Sequence, residues 1–217
     1  LAAAIVKARR LDDLSSEALQ ETYEATLFLL FRILFIAYAE DRDLLPYRTN
    51  GLYQKRSLKS IADDLKALSD QEAEFGSDPN LWEQLQSLFR AVRNGNAAWG
   101  VPAYDGGLFS EDPAVSPLGA VLEDIEIPDD RLGPILTALL LDEGPEGVGP
   151  VDFRSLGVRE FGTIYEGLLE SELSVATTGL VIGKSGAYRP AREAEEPVVE
   201  EGAVYLHNAS GARKSSG

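Results

Sequence analysis

The chain has 217 residues, 44% of them hydrophobic and 26% charged, enough apolar mass for one or two globular domains. It has no cysteine, which excludes disulfides, cysteine-ligated zinc and thiol catalysis, and its one histidine excludes a multi-histidine metal site. The net charge of -16 argues against the segment as a whole gripping DNA, because phosphate neutralisation needs a basic surface, although a local basic contact is compatible with it.

The chain opens at Leu1 and contains no Met, so it reads as a stretch within a longer or processed frame. Lys7, Arg9 and Arg10 follow the short apolar stretch at the start instead of preceding it, unlike a signal peptide, and the composition suits a reducing cytoplasm. Residues 2–10 read as a helix end. A long helix is expected from Ser15 to Asp41, with Leu19, Tyr23, Leu27, Leu30, Ile33 and Leu34 spaced three or four apart. Its apolar run from Ala25 to Ala39 is interrupted by Arg32 and falls short of the ~20 residues a membrane span needs. A buried core helix with Phe31 and Leu34 inside is the expectation, and no membrane partner is implied.

Pro46 ends that unit and residues 46–57 read as a loop. Ser57 caps a helix to about Leu68 that carries Leu58, Ile61, Leu65 and Leu68 on one face. Asp78, Pro79 and Gly95 punctuate the next helix as cap, first residue and stop, around a stripe of Leu81, Leu85, Leu88, Phe89 and Val92. Two short helices follow, near Leu118–Ile125 and Asp129–Leu141. The Gly/Pro-rich residues 142–150 read as a hinge. A helix from Val158 to Ser171 precedes β-branched segments at 173–182, 186–191 and 197–208. The expected fold is mainly α: a multi-helix domain over 1–143, then 144–217 as a helix with an antiparallel β element of two or three strands.

Signals for catalysis are few. His207 sits on a terminal strand and reads as a strand-surface residue, and no Ser-His-Asp triad is expected. No phosphate-binding loop of the G-x-x-x-x-G-K-[ST] or G-x-G-x-x-G kind is present. Glu40, Asp41 and Asp43 cluster at the long helix's end and could hold magnesium, but neighbouring positions diverge around a helix and Arg42 stands among them. A solvated helix end with local ion pairs is the simpler expectation. Among short basic clusters, Lys55, Arg56 and Lys59 lie beside Tyr47 and Tyr53, and Arg213 and Lys214 lie near the end; both are candidate phosphate contacts.

Three motifs stand in order: "LLFRILFIAYAEDRDLLP" at 29–46, "YDGGLF" at 104–109 and "VDFRSLGVREFGTIYEGLLE" at 151–170, followed by strands and "GARKSSG". Together they resemble the region just upstream of the methylase core in large N6-adenine DNA methyltransferases, which include Type IIG and IIL restriction–modification enzymes and BREX- and DISARM-type phage-defence methylases. The resemblance implies that a longer parent transfers methyl from S-adenosylmethionine to adenine in DNA. In that family the cofactor and adenine-binding motifs come after the segment matching this chain, so none of their residues falls here. It further implies that this segment binds no cofactor, is inactive alone, and serves as a helical platform for a downstream methylase domain, with an upstream or separate nuclease as a further partner. Gly106, Gly107 and Phe109, with Phe161 and Tyr165, are the expected interdomain packing residues, and Gly162 and Gly167 suit close backbone approach. The alternative is a non-catalytic helical domain that docks another protein. A stand-alone metal-dependent hydrolase would need its acidic clusters to converge.

Overall fold

The computed structural model describes residues 1–11, 14–104, 106–144, 147–193 and 195–208. The helices are α1 (Ala2–Arg9), α2 (Ser16–Asp41), α3 (Gly51–Gln54), α4 (Leu58–Asp70), α5 (Asn80–Asn94), α6 (Pro117–Glu123), α7 (Asp129–Leu140) and α8 (Val158–Leu169). The strands are β1 (Leu141–Gly144), β2 (Gly147–Pro150), β3 (Ser171–Val175), β4 (Leu180–Ile182), β5 (Tyr188–Pro190) and β6 (Val204–Asn208). The fold is mainly α with short antiparallel ladders, each of two strands: β1–β2, β3–β6 and β4–β5.

Two compact units emerge. One comprises Phe28–Gly157; the other joins Ala2–Leu27 to the described residues of Val158–Gly217. The expected division falls at 143/144; residues 141–144 and 147–150, within the stretch read as a hinge, form strands. They pair as the β1–β2 hairpin, in register Leu141↔Pro150 to Gly144↔Gly147, within the first unit.

In the first unit the core combines Leu29, Ile33, Leu34 and Ile36 of α2, Ile61 and Leu65 of α4, Leu85, Leu88, Phe89 and Val92 of α5, and Leu132 and Leu136 of α7. The three- and four-residue spacings bury one stripe per helix, as amphipathic periodicity requires. Trp82 is buried as well, whereas Phe31, expected inside, is only half-buried. By length and composition α2 could cross a membrane, yet 67% of its most apolar window is buried in the protein itself.

The ends of α4 and α5 show how local and distant capping differ. Ser57 accepts from the Ser60 amide at 3.0 Å, the local cap expected of that serine. At α5 the cap comes from far away in sequence: the Asp129 carboxylate accepts from the Leu81 amide at 2.8 Å and from the Asn80 side chain at 3.2 Å. Asp78 instead offers its backbone carbonyl to the Asp129 amide at 3.0 Å. Gly95 stops α5 at φ +73°, a conformation that suits glycine.

The second unit pairs β3 with β6 from Ser171↔Asn208 to Val175↔Val204, beside the β4–β5 ladder. The Tyr23 hydroxyl of α2 donates to the Leu168 carbonyl of α8 at 2.5 Å, tying an early helix to a late one. Arg9 of α1 donates to Thr22 at 2.7 Å and forms an ion pair with Glu21.

Candidate functional site

Chemistry in the first unit gathers along α2. Arg32 is fully buried (0% exposed), and its side chain crosses the apolar core to two backbone carbonyls. Nε donates to the Leu108 carbonyl at 2.6 Å and Nη2 to the Ser110 carbonyl at 3.0 Å. The guanidinium carbon lies 5.1, 5.4 and 5.9 Å from the ring centres of Phe28, Phe89 and Phe109. Burial pulls this guanidinium down to about 10, with Glu123 opposing the shift and Arg93 adding to it. Close approach here requires Gly119, where a Cβ would fall 1.9 Å from the Ser110 carbonyl oxygen and 2.9 Å from Arg32 Nη2.

That clamp determines what the double-glycine loop does. Gly106 and Gly107 are exposed and lead into a single 3-10 turn at Gly107–Phe109. Phe109, 3% exposed, packs edge-on against Phe35 at 5.4 Å and tilted against Phe89 at 5.9 Å. The expected interdomain plug is thus filled from within: Phe109 belongs to the core of its own unit.

The acidic end of α2 is not a solvated cluster. Glu40 is 1% exposed and accepts three hydrogen bonds: from the Tyr53 hydroxyl at 2.7 Å, the Leu58 amide at 2.8 Å and the Lys59 amide at 3.0 Å. It therefore caps α4 from another helix, which satisfies amides that would otherwise be orphaned. Burial pushes its carboxyl above the ordinary value, against the pull of Tyr53, both amides and the Lys59 ammonium. Burial and then Glu40 also push the Tyr53 hydroxyl up. Asp41 accepts from the Phe153 amide at 2.7 Å and pairs with Lys59. Asp43 pairs with Arg48 at 3.2 Å, while Arg42 lies over the Tyr38 ring at 5.5 Å. Glu40 and Asp41 share only Lys59, through its amide and its ammonium respectively, and Asp43 pairs with Arg48 instead, so the three do not gather around one point. Among the described residues no group of three His, Asp or Glu side chains could hold a metal ion.

Beside this network is a cleft of about 230 Å³, floored by Leu58, Ala62, Leu140 and Val151 and walled by Tyr47 and the Asp41–Lys59 pair. Lys59 Nζ is 5.1 Å from the Tyr47 ring centre. Lys59, a candidate phosphate contact, is therefore half-buried and already neutralised. Lys55 and Arg56 are exposed and have no ion-pair partner among the described residues. Arg213 and Lys214 lie outside the described residues.

In the second unit, Phe161 is half-buried and Tyr165 is 48% exposed on α8. A Cβ at Gly162 or Gly167 would meet nothing within 4 Å, so no described backbone makes the close approach their spacing suggested. His207 faces Ser174 across the β3–β6 ladder, Nε2 to Oγ at 2.8 Å, and its Nδ1 lies 2.7 Å from the Asn208 carbonyl oxygen. The pair links two strands, and a backbone carbonyl stands where a triad would place a carboxylate.

The arrangement can cap, clamp and tie segments together. Nucleotide-cofactor pockets of doubly wound folds place a glycine-containing loop between a strand and a helix of a parallel sheet. The described strands form only antiparallel pairs, without a parallel strand–loop–helix unit of that kind. Comparison with protein-family models, with curated proteins and with solved structures finds no match.

Proposed function

We propose that this chain is the non-catalytic helical platform of a site-specific adenine-N6 DNA methyltransferase, acting in restriction–modification or phage defence in the cytoplasm. One observation supports the reading most strongly. The three motifs that carry the resemblance, far apart in sequence, are joined through α2. Arg32 of the first motif holds the carbonyls of Leu108 and Ser110, at and just beyond the end of the second. Asp41 of the first accepts from Phe153 of the third. A motif set bound by mutual hydrogen bonds behaves as a structural unit, and a rigid support is what a flipped adenine beside a methyl donor requires.

In this reading the parent binds S-adenosylmethionine and DNA through its methylase domain, and the platform supplies no reacting group. The test is to express the native gene with at least ~150 codons beyond Gly217, about one domain length, and to measure labelled methyl transfer to DNA. A Tyr-Phe/Tyr-Thr-Pro motif soon after Gly217, a later Asn-Pro-Pro-Tyr and methyl transfer would sustain the proposal. A native gene that ends there or continues into an unrelated domain would sink it and leave a protein-docking module.

A further inference from the structure

The stretch from Arg42 to Lys59 carries five basic residues and one acidic residue in a chain of net charge -16. The fold makes this run a surface. Glu40 accepts from the amides of Leu58 and Lys59, so residues 41–57 leave and return at one point and form a loop closed at its base. Buried Leu45 and Tyr53 anchor the loop from inside, and Asn50 caps α3 within it, accepting from the Leu52 and Tyr53 amides at 2.9 and 3.1 Å. The charges stay outside. Arg42, Lys55 and Arg56 are exposed, and the Arg48 side chain is 66% exposed despite its pairing with Asp43.

We infer that this closed loop is a duplex-DNA backbone contact, with Arg42, Arg48, Lys55 and Arg56 meeting successive phosphates. Guanidinium forks suit phosphate oxygens, and a loop held by a buried cap loses little freedom when it docks. In a chain of net charge -16 a locally basic loop favours docking through that loop on a polyanion. Lys59 is excluded from the contact by its pairing with Asp41. The choice of DNA among polyanions rests on the methyltransferase reading. Exposed Leu44 and Leu52 on the same loop make an anionic lipid surface the competitor to test.

The experiment uses the 217-residue chain, a short fluorescent DNA duplex and phosphatidylserine vesicles. Binding to the duplex by anisotropy is expected at about 50 mM salt and should fade by about 200 mM. Lys55→Glu with Arg56→Glu should weaken it about tenfold or more and lower the salt slope by about 2. Lys184→Glu, an exposed charge reversal in the other unit, should leave affinity within about twofold. Absence of duplex binding at low salt, equal weakening by Lys184→Glu, or binding to vesicles alone would each overturn the inference. The two proposals fail separately. Methyl transfer by the longer protein with no effect of the double reversal removes this contact and keeps the platform, whereas a loop-dependent duplex affinity in a gene lacking a methylase does the reverse.

Discussion

Arg32 and Glu40 each tie distant segments of the first unit to α2. Both are charged, both are buried in α2, and each satisfies backbone groups distant in sequence. Arg32→Ala should lower the unfolding free energy by roughly 3–5 kcal/mol, combining a cavity with two carbonyls stripped of their donor. Arg32→Met should restore the packing but not the donors and so recover only part of that loss. Urea melts of the three proteins check this, and full recovery by Met would refute the clamp. Glu40 gives a pH signature. Its carboxyl titrates higher in the fold than when unfolded, so the native state holds more protons, and stability falls as pH rises from the ordinary 4.5 through the raised value. Relative to Glu40→Gln, the wild-type protein should therefore lose stability across that window and hold a constant difference above it, read from melts at stepped pH.

At the scale of the element, distant capping separates what local patterns show from what packing decides. Asp129→Ala should cost about 1 kcal/mol by leaving the Leu81 amide and the Asn80 side chain at the start of α5 without their acceptor. Asp78→Ala, the cap that position alone suggests, should cost no more than a few tenths, since Asp78 contributes through its backbone carbonyl. Equal losses in denaturant melts would contradict this assignment. Helix α2 was legible from its spacing because an apolar stripe is a one-dimensional pattern, and Ser57 was legible because its target amide lies three residues on. The partners of Glu40 and Asp129 were not, because a long-range cap leaves no spacing to detect. A buried Arg32 is equally silent in sequence, where it resembles a break in an apolar run.

At the scale of the whole molecule, each unit must close its own core, and the second does so with residues from both halves of the sequence. A chain ending at Gly157 lacks α8 and the β3–β6 ladder and leaves Tyr23 without its Leu168 acceptor. It should bind a hydrophobic dye and lose near-ultraviolet dichroism attributable to Tyr23, while the first unit keeps a cooperative melt. Loss of all cooperativity on truncation would show that the two units fold only together.

Composition and periodicity by themselves determined that this protein is mainly α with a late β element, where most helices begin and end, and that disulfide and thiol chemistry are absent. Those properties follow from residue type and near-neighbour spacing, which the chain carries locally. Tertiary structure alone decided that residues 141–144 pair with residues 147–150, and that Phe109 packs in the core of the first unit. It also decided that the acids at the end of α2 are taken up by backbone amides, a tyrosine hydroxyl and nearby basic side chains, and that Lys59 pairs with Asp41 while Lys55 and Arg56 remain open to solvent. These outcomes depend on which groups folding brings together, and the contacts between segments far apart in the chain leave no trace in local pattern.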